Sequence, residues 1–241
     1  MDKDYLDTFK DAYDNTFPYA LDNRLIMNWY PERIIRYASG GSLLELGVGH
    51  GYCSLGLTKH FKRHVIVEGA KDIIEKFRKN PGVAHIEIVH AFFEMYDTSE
   101  KFDVIVMGFV MEHVDDPCFI LKKFRQCLKP GGAIFITVPN AHALNKRIGF
   151  EAGILKDYNT LSASDLALGH KRLFTVDSLR SLMEDAGLSI RLMEGLFLKP
   201  ITTEQIKKLG LSEDILQAMM RVGTDYPELC VGILAGAIES I

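Results

Sequence analysis

The sequence predicts an α/β fold built on a doubly wound, mostly parallel sheet. Between residues 42 and 139, five short apolar strands alternate with helices. These strands are apolar along their whole length, as expected when helices cover both faces of a parallel sheet. The 241 residues suffice for one domain of this kind. We expect a single domain over 1–241, with an N-terminal helical cap at 1–40 and an inserted substrate cover at 140–174.

The strands and helices follow from apolar runs, helical periodicity and capping residues. Strands are predicted at residues 42–46, 64–69, 84–91, 101–109, 133–139, 189–198 and 229–238. Helices are predicted at residues 2–38 in two or three pieces, 52–61, 70–80, 116–128, 175–188 and 202–223.

Prolines and glycines mark several of the predicted boundaries. Pro31 is expected in the first turn of a helix that starts near residue 30, where proline is tolerated. Asp116 is a predicted N-cap, with Pro117 at the first helical position. The K-P-G-G stretch at 129–132 predicts a turn before the fifth strand.

Composition excludes several classes of protein. Apolar residues make up 47% and charged residues 25%, with a net charge of −4, so no basic field favours nucleic acid. The N-terminus lacks a secretory pattern, and the longest apolar run, 229–238, is too short to span a bilayer. The four cysteines form no C-x-x-C pair. We therefore expect a cytoplasmic protein with reduced thiols and no membrane partner, and leave its oligomeric state open.

The stretch LLELGVGHGYCS, residues 43–54, is a glycine-rich turn between a strand and a helix. Gly47, Gly49 and Gly51 permit positive φ and close backbone approach to a ligand. The free N–H groups of the helix that starts near Tyr52 point toward the same place. A dinucleotide site would need a small residue where Tyr52 stands, so the turn does not fit a pyrophosphate.

Two acidic residues indicate a different nucleotide. Glu45, just before the turn, is unfavourable beside a diphosphate but suits a ligand with a cationic amine. Glu68 ends the second strand, where a carboxylate can accept hydrogen bonds from both ribose hydroxyls. Ribose recognition, backbone donors and a carboxylate together fit S-adenosylmethionine.

Four ordered motifs resemble those of class I S-adenosylmethionine-dependent methyltransferases. They are ELGVGHG, the acidic Glu68, FDVIVMGFVMEHVDDP at 102–117 and LKPGGAIFITVPN at 128–140. The E-H-V-x-D-P part is similar to the ubiquinone-type branch. VPNAHALNKRIG and LGHKRLFTVDSLRSLMEDAGL also resemble a subgroup associated with polysaccharide biosynthesis. The resemblance implies a Rossmann-like, doubly wound, seven-stranded sheet, mostly parallel, with an antiparallel last strand at 229–238.

The resemblance also implies the residues that bind the cofactor. They are Glu45, Gly47, Gly49, Gly51, Tyr52, Glu68, Gly69, Ala91, Phe92, Phe93, Gly108 and Phe109. The three turn glycines would line the methionyl part, Glu45 would hold the turn or the amine, and Glu68 would bind ribose.

The adenine end is expected at residues 90–94. Ala91 stands where many relatives have an aspartate, so that contact would come from backbone or from a neighbour. Strand alternation predicts that only one of Phe92 and Phe93 faces adenine. Gly108 and Phe109 would form the floor of the site, and Tyr52 has a second interpretation as a helix cap.

Candidate acceptor residues lie after the fourth strand and in the cover. His142 or His170 is the candidate general base, with His113 next, because histidine has the best unperturbed pKa for this role. His113 is equally well explained as a structural histidine. The candidate substrate-binding residues are Asn140, Lys146, Arg147, Lys171 and Arg172, whose cations suit phosphate or carboxylate. A solvated basic surface is the competing interpretation.

The sequence predicts no metal site, because His60 and His64 lack the glutamate of an H-E-x-x-H pattern. The favoured function is O-methylation of a small polar acceptor, a sugar or a phosphorylated or acidic metabolite, in surface-polysaccharide biosynthesis. Alternatives are methylation of a quinone precursor, amine N-methylation, nucleic-acid methylation, a cofactor-binding scaffold and a dehydrogenase.

Overall fold

A computed structural model of the chain describes residues 19–239, which form a seven-stranded sheet. The strands are β1 (Ser42–Leu46), β2 (Arg63–Glu68), β3 (Glu87–His90), β4 (Phe102–Gly108), β5 (Leu128–Pro139), β6 (Leu188–Leu196) and β7 (Gly232–Glu239). Their order across the sheet is β3-β2-β1-β4-β5-β7-β6.

The strand directions confirm the predicted sheet. β1 to β5 pair in parallel, whereas β7 pairs antiparallel with both β5 and β6. The chain order reverses between β1 and β4, which is the place where open α/β sheets bind ligands beyond the carboxyl ends of their strands.

Nine helices accompany this sheet within residues 19–239. They are α1 (Ala20–Tyr37), α2 (Tyr52–Leu57), α3 (Lys71–Arg78), α4 (Pro117–Arg125), α5 (Leu144–Glu151), α6 (Ala163–Ala167), α7 (Val176–Asp185), α8 (Thr203–Leu209) and α9 (Glu213–Gly223). Asp116 caps α4 as predicted, because its side chain accepts a hydrogen bond from the Phe119 N–H with Pro117 at the first position.

The core has two main layers, one on each face of the sheet. Leu44 and Leu46 pack with α4 and α7, whereas Leu43 packs with α1, α2, α8 and α9. Neighbouring residues of one strand point to opposite faces. Both faces are therefore apolar, which is why the strands have no polar alternation.

Three predicted elements differ from the structure. Pro31 lies inside the single helix α1 rather than in a first turn, with its ring packed against Gly56 of α2. The predicted K-P-G-G turn forms an irregularity within the long strand β5. The predicted helix at 202–223 is divided into α8 and α9 by Gly210, whose φ is +61°. The helical pieces predicted before residue 19 lie outside the described residues.

The predicted cover at 140–174 contains α5 and α6 and leaves the sheet between β5 and α7. An isolated parallel bridge between Asn140 and Phe174 brings its two ends together. All four cysteines are free. Within residues 19–239, no helix is long and apolar enough to cross a membrane.

Gly195 of β6 is required by close packing. A Cβ at this position would lie 2.3 Å from the Gly223 carbonyl oxygen and 2.6 Å from Cys230 Sγ. We expect Gly195→Ala to lower the free energy of unfolding by about 1–3 kcal/mol, as overpacking does. Urea denaturation of the purified protein measures this. Gly82→Ala is the control, since a Cβ there would meet no described atom within 4 Å; equal stability of the two variants would contradict the packing argument.

Candidate functional site

The glycine turn connects β1 to α2 at the carboxyl edge of the sheet. Gly47, Gly49 and Gly51 have φ values of 79°, 50° and 78°, a region that favours glycine. Gly51 is the N-cap of α2, and a Cβ there would lie 2.8 Å from Phe77 Cδ2 of α3. The path of the turn and the approach of α3 therefore both depend on glycine.

The carboxylate of Glu68 holds this turn against the end of β2. Its Oε2 accepts a hydrogen bond from the Val48 N–H at 2.9 Å, and its Oε1 accepts one from the Ala70 N–H at 2.8 Å. Burial raises the pKa of Glu68, and these backbone donors oppose the rise. A carboxylate has about four acceptor positions, so capacity is left for ribose hydroxyls.

The carboxylate of Glu45 is bound inside the protein. Its Oε1 accepts a hydrogen bond from Ser54 Oγ at 3.0 Å, and its Oε2 lies 2.8 Å from His64 Nε2. The residue is only 2% exposed. Of the two roles that the sequence leaves open, this geometry favours holding the turn, because Glu45 ties α2 to β1 and β2.

Ala91, Phe92 and Phe93 all line the cavity beside Glu68. β3 ends at His90, and Phe92 is the N-cap of a 3-10 helix at Phe93–Met95. Strand alternation does not apply beyond the end of the strand. Alternation therefore gives no reason to expect only one of the two phenylalanines at the site, and both line the cavity.

Gly108 and Phe109 close the site below the turn, together with Tyr30 of α1. A Cβ on Gly108 would lie 2.4 Å from Tyr30 Oη. Phe109 has a φ of +55°, and its N–H donates to the Thr137 carbonyl at 2.9 Å. Its ring packs edge-on against Tyr30, with 6.1 Å between centroids. This contact sets the distance between α1 and the end of β4.

A cavity of about 330 Å³ lies between the ends of β1 and β4. All of the residues predicted to bind the cofactor line it, from Glu45 to Phe109. The far side of the same cavity is lined by residues after β4 and from the cover, so one space adjoins both groups of predicted residues. A concave site at the switch point of the sheet is the usual place for a ligand.

An acid–histidine cluster, formed by Glu112, His113 and His170, lies on that far side. One ligand atom from each side chain is within 4.8 Å of the others. The two imidazole rings are nearly perpendicular, with 4.9 Å between their centroids. His170 Nδ1 lies 3.0 Å from Asp165 Oδ1, and the Lys171 N–H donates to the Glu112 carbonyl at 2.8 Å. The cover thus brings His170 to the segment after β4.

Burial dominates the electrostatics of the cluster. It raises the pKa of Glu112 to about 7, and His170 opposes the rise. It lowers the pKa of His113 to about 4, and His170 lowers it further. Burial would raise the pKa of Asp165, but hydrogen bonds from His170 and Ser162 hold it below its usual range. At neutral pH His113 is therefore a neutral imidazole with a lone pair to offer.

Three of the predicted substrate-binding residues line the cavity: Asn140, Lys146 and Lys171. The Asn140 amide donates to backbone carbonyls at residues 227, 228 and 230, and Lys171 is paired with Asp115. Lys146 is half-buried and forms no ion pair among the described residues. It is the predicted cation best placed to bind an acceptor.

Arg147, Arg172 and His142 do not line the cavity, which differs from the sequence prediction. Arg172 donates to three carbonyls of the segment after β4, at residues 111, 114 and 115. Arg147 donates to the carbonyls of His142 and Glu228. The His142 ring packs edge-on against Tyr158. Arg147 and Arg172 secure the cover, because backbone carbonyls accept the hydrogen bonds that these side chains would otherwise donate to an acceptor.

Residues 23–192 match the family model described as a methyltransferase domain. The chain belongs to this methyltransferase family. A ubiquinone biosynthesis O-methyltransferase of Aeromonas salmonicida is 26% identical over 187 residues, covering 73% of this chain and 74% of that protein. The cypemycin N-terminal methyltransferase of a Streptomyces species is 25% identical over 218 residues, covering 89% and 84%.

Solved structures share the fold of this methyltransferase. DhpI in complex with SAH has a TM-score of 0.63 at 16% identity, covering 99% of this chain and 95% of that one. NodS from Bradyrhizobium japonicum WM9, in complex with S-adenosyl-L-homocysteine, has a TM-score of 0.59 at 14% identity, covering 97% of each chain.

S-adenosylmethionine is the cofactor of this methyltransferase. When bound, it supplies the methyl group that is transferred. The cavity fits it, because Glu68 keeps acceptor capacity for ribose and the glycines leave room beside the turn. Glu68 with the turn glycines, Ala91 to Phe93, and Gly108 with Phe109 are the residues that would hold it.

Sequence reasoning did not single out two acidic residues, Glu112 and Asp165, that lie in or beside the acid–histidine cluster. Glu112 lies inside the E-H-V-x-D-P motif, and only long-range packing buries its carboxylate away from hydrogen-bond partners among residues 19–239. Asp165 stands in a short polar helix, and only the fold places it beside His170. The one local signal is the spacing of Asp165 and His170, five residues apart.

Glu68→Gln tests ribose recognition by this carboxylate. We expect it to weaken binding of S-adenosylhomocysteine about 10- to 100-fold, the loss typical of a hydrogen bond to a charged group. Calorimetry should be run with S-adenosylhomocysteine and with its 2′,3′-dideoxy analogue. The wild type should discriminate between them and the variant should not. Glu75→Gln, an exposed acid of α3, is the control; undiminished discrimination in Glu68→Gln would refute the ribose role.

Proposed function

We propose that this methyltransferase O-methylates a hydroxyl of a small acceptor that also carries a carboxylate or phosphate. The observation that supports this is the composition of the cavity lining, which includes both Lys146 and the acid–histidine cluster. Lys146 is close enough to Asp165, the partner of His170, to interact with its charge. A cation suits the anionic group, and the cluster suits a hydroxyl that must lose a proton.

Lys146 is the group proposed to bind the anion. Burial lowers its pKa, and Asp165 opposes that change. Lys199, which also lines the cavity, is already neutralised by Asp22 and hydrogen-bonded to Thr203. An anionic acceptor would give Lys146 an opposite charge, which a partly buried ammonium group needs.

The reaction is an in-line displacement at the methyl carbon. The acceptor oxygen forms a bond to that carbon, the carbon–sulfur bond breaks with its electron pair staying on sulfur, and the hydroxyl proton leaves the oxygen. The protein positions the acceptor and excludes water, which can supply much of the acceleration. The acid–histidine cluster promotes the loss of the proton.

N-methylation is the second candidate, and the likeness to the cypemycin N-terminal methyltransferase favours it. An amine acceptor needs only its neutral form and would make little use of the cluster. The likeness to ubiquinone biosynthesis O-methyltransferases favours oxygen. A sugar or acidic metabolite of surface-polysaccharide biosynthesis, methylated in the cytoplasm, stays the prediction of the sequence motifs.

A screen of hydroxylated acceptors tests the proposal. Sugar phosphates, nucleotide sugars and hydroxy acids are incubated with the full chain and S-adenosylmethionine, and products are identified by mass. The proposal requires a product methylated on oxygen. Transfer confined to amines, or to uncharged quinone precursors, would replace it with the corresponding alternative.

Lys146→Met should raise the KM of an anionic acceptor about 10- to 100-fold, since a charge-assisted contact is lost, with a smaller effect on kcat. Steady-state kinetics should compare the acceptor with its methyl ester, which lacks the charge. Lys156→Met, an exposed lysine of the same cover, is the matched control. An equal rise in KM for the charged acceptor and for its methyl ester would show that Lys146 does not bind the anionic group.

A further inference from the structure

We propose that the acid–histidine cluster binds a divalent first-row transition-metal ion, with Glu112, His113 and His170 as its ligands. The sequence predicts no metal site, because it lacks a local pattern such as H-E-x-x-H; Glu112 and His113 are adjacent, but His170 is brought to them only by the fold. This inference deepens the proposed function, and its account of the acceptor rests on that function. The claim that the cluster binds a metal ion depends only on its three side chains and not on the proposed function.

The donor set matches a known kind of metal site. The cluster offers two imidazole nitrogens and one carboxylate oxygen, and these atoms lie within 4.8 Å of one another. Small side-chain rotations bring such atoms to the ~2.0–2.2 Å of metal bonds. Two histidines with one carboxylate favour zinc, iron, cobalt or manganese over magnesium or calcium, which prefer all-oxygen ligands.

Glu112 supplies an independent reason for a cation. The residue is fully buried, and within residues 19–239 no other residue donates a hydrogen bond to either carboxylate oxygen. A buried acid without a partner is unfavourable. A metal ion between Glu112 and the two histidines provides the missing partner.

Neighbouring groups orient the two histidines as ligands. Asp165 Oδ1 lies 3.0 Å from His170 Nδ1, which leaves Nε2 as the ligand atom of that ring. The backbone of Gly169 hydrogen-bonds to the His113 ring. Carboxylate or carbonyl contacts of this kind fix the tautomer and direction of metal-binding histidines. Asp165 is thus a positioning residue.

Three protein ligands leave coordination positions open toward the cavity, as in catalytic metal sites. An acceptor hydroxyl that binds there would become more acidic and would release its proton to bulk solvent as it coordinates, before the methyl transfer. Its oxygen then forms the new bond to the methyl carbon. Because Lys146 lines the same cavity, the acceptor class is a hydroxylated anion held by the metal at its hydroxyl and by lysine at its charge.

Metal binding is measured on full-length protein freed of metal by a chelator. Co²⁺ is titrated and followed by its visible absorption, and Zn²⁺ and Mn²⁺ are titrated by calorimetry. We expect one ion per chain, and a weakening of binding of about 10- to 100-fold or more in Glu112→Gln and His170→Gln. Asp165→Asn should weaken binding by about tenfold or more.

Folding is checked in the same samples by thermal denaturation. Glu112→Gln should leave the metal-free protein as stable as the wild type, because the carboxylate has no partner to lose. Metal should raise the melting temperature of the wild type but not of Glu112→Gln. His60→Ala, an exposed histidine, is the control for binding at surface imidazoles and should bind like the wild type.

The inference is overturned if none of the three ions binds at one per chain, or if binding survives unchanged in Glu112→Gln and His170→Gln. Full methyl transfer in the presence of the chelator, with loss of turnover in His170→Gln, would overturn it while leaving O-methylation with a histidine base intact. Stoichiometric binding together with exclusive N-methylation would support the metal site and refute the proposed function.

Discussion

The two hydrogen bonds from the Val48 and Ala70 N–H groups to the Glu68 carboxylate set the architecture of the donor end. They join the turn after β1 to the end of β2. Together they use only part of the carboxylate's capacity to accept hydrogen bonds, so the remainder is available to a ligand. Gly51 then allows α2 to start directly beside α3. A carboxylate that both shapes the turn and faces the cavity couples the fold of this edge to its ligand.

The acceptor end of the cavity depends on contacts between residues that are far apart in the chain. Arg172 binds three carbonyls after β4, and Lys171 binds the Glu112 carbonyl through its N–H and Asp115 through its side chain. These contacts hold the cover against the segment that carries Glu112 and His113. Arg172 and Lys171 therefore act first as structural donors, and the approach of His170 to His113 follows from their contacts.

How far the sequence predicts this molecule depends on the range of the contacts. The sheet, the glycine turn and the position of Glu68 are encoded locally, by apolar runs, spacing and caps, and the structure matches them. β3 ends at His90, one residue before its predicted end, so strand alternation does not govern Phe92 and Phe93. Pro31 was misplaced because packing against Gly56 stabilises a longer helix than local preference indicates. The partners of Arg147 and Arg172 are backbone carbonyls. Every residue has one, so residue identities do not indicate which carbonyls these side chains bind.

The contrast between local and long-range contacts also explains why the sequence identifies the methyl donor more clearly than the methyl acceptor. The donor end is built from the ends of four strands, β1 to β4, whose geometry the sheet dictates. A ubiquinone O-methyltransferase and a cypemycin N-terminal methyltransferase can therefore each share about a quarter of their aligned residues with this chain. Their acceptors differ, as their names state. Here the proposed acceptor wall comes from α5, α6 and the segment after β4, which no strand register fixes. Substitutions among the residues that line this wall can therefore change the acceptor without disturbing the sheet, and a buried acid such as Glu112 can be kept there only if some ligand or proton compensates its charge.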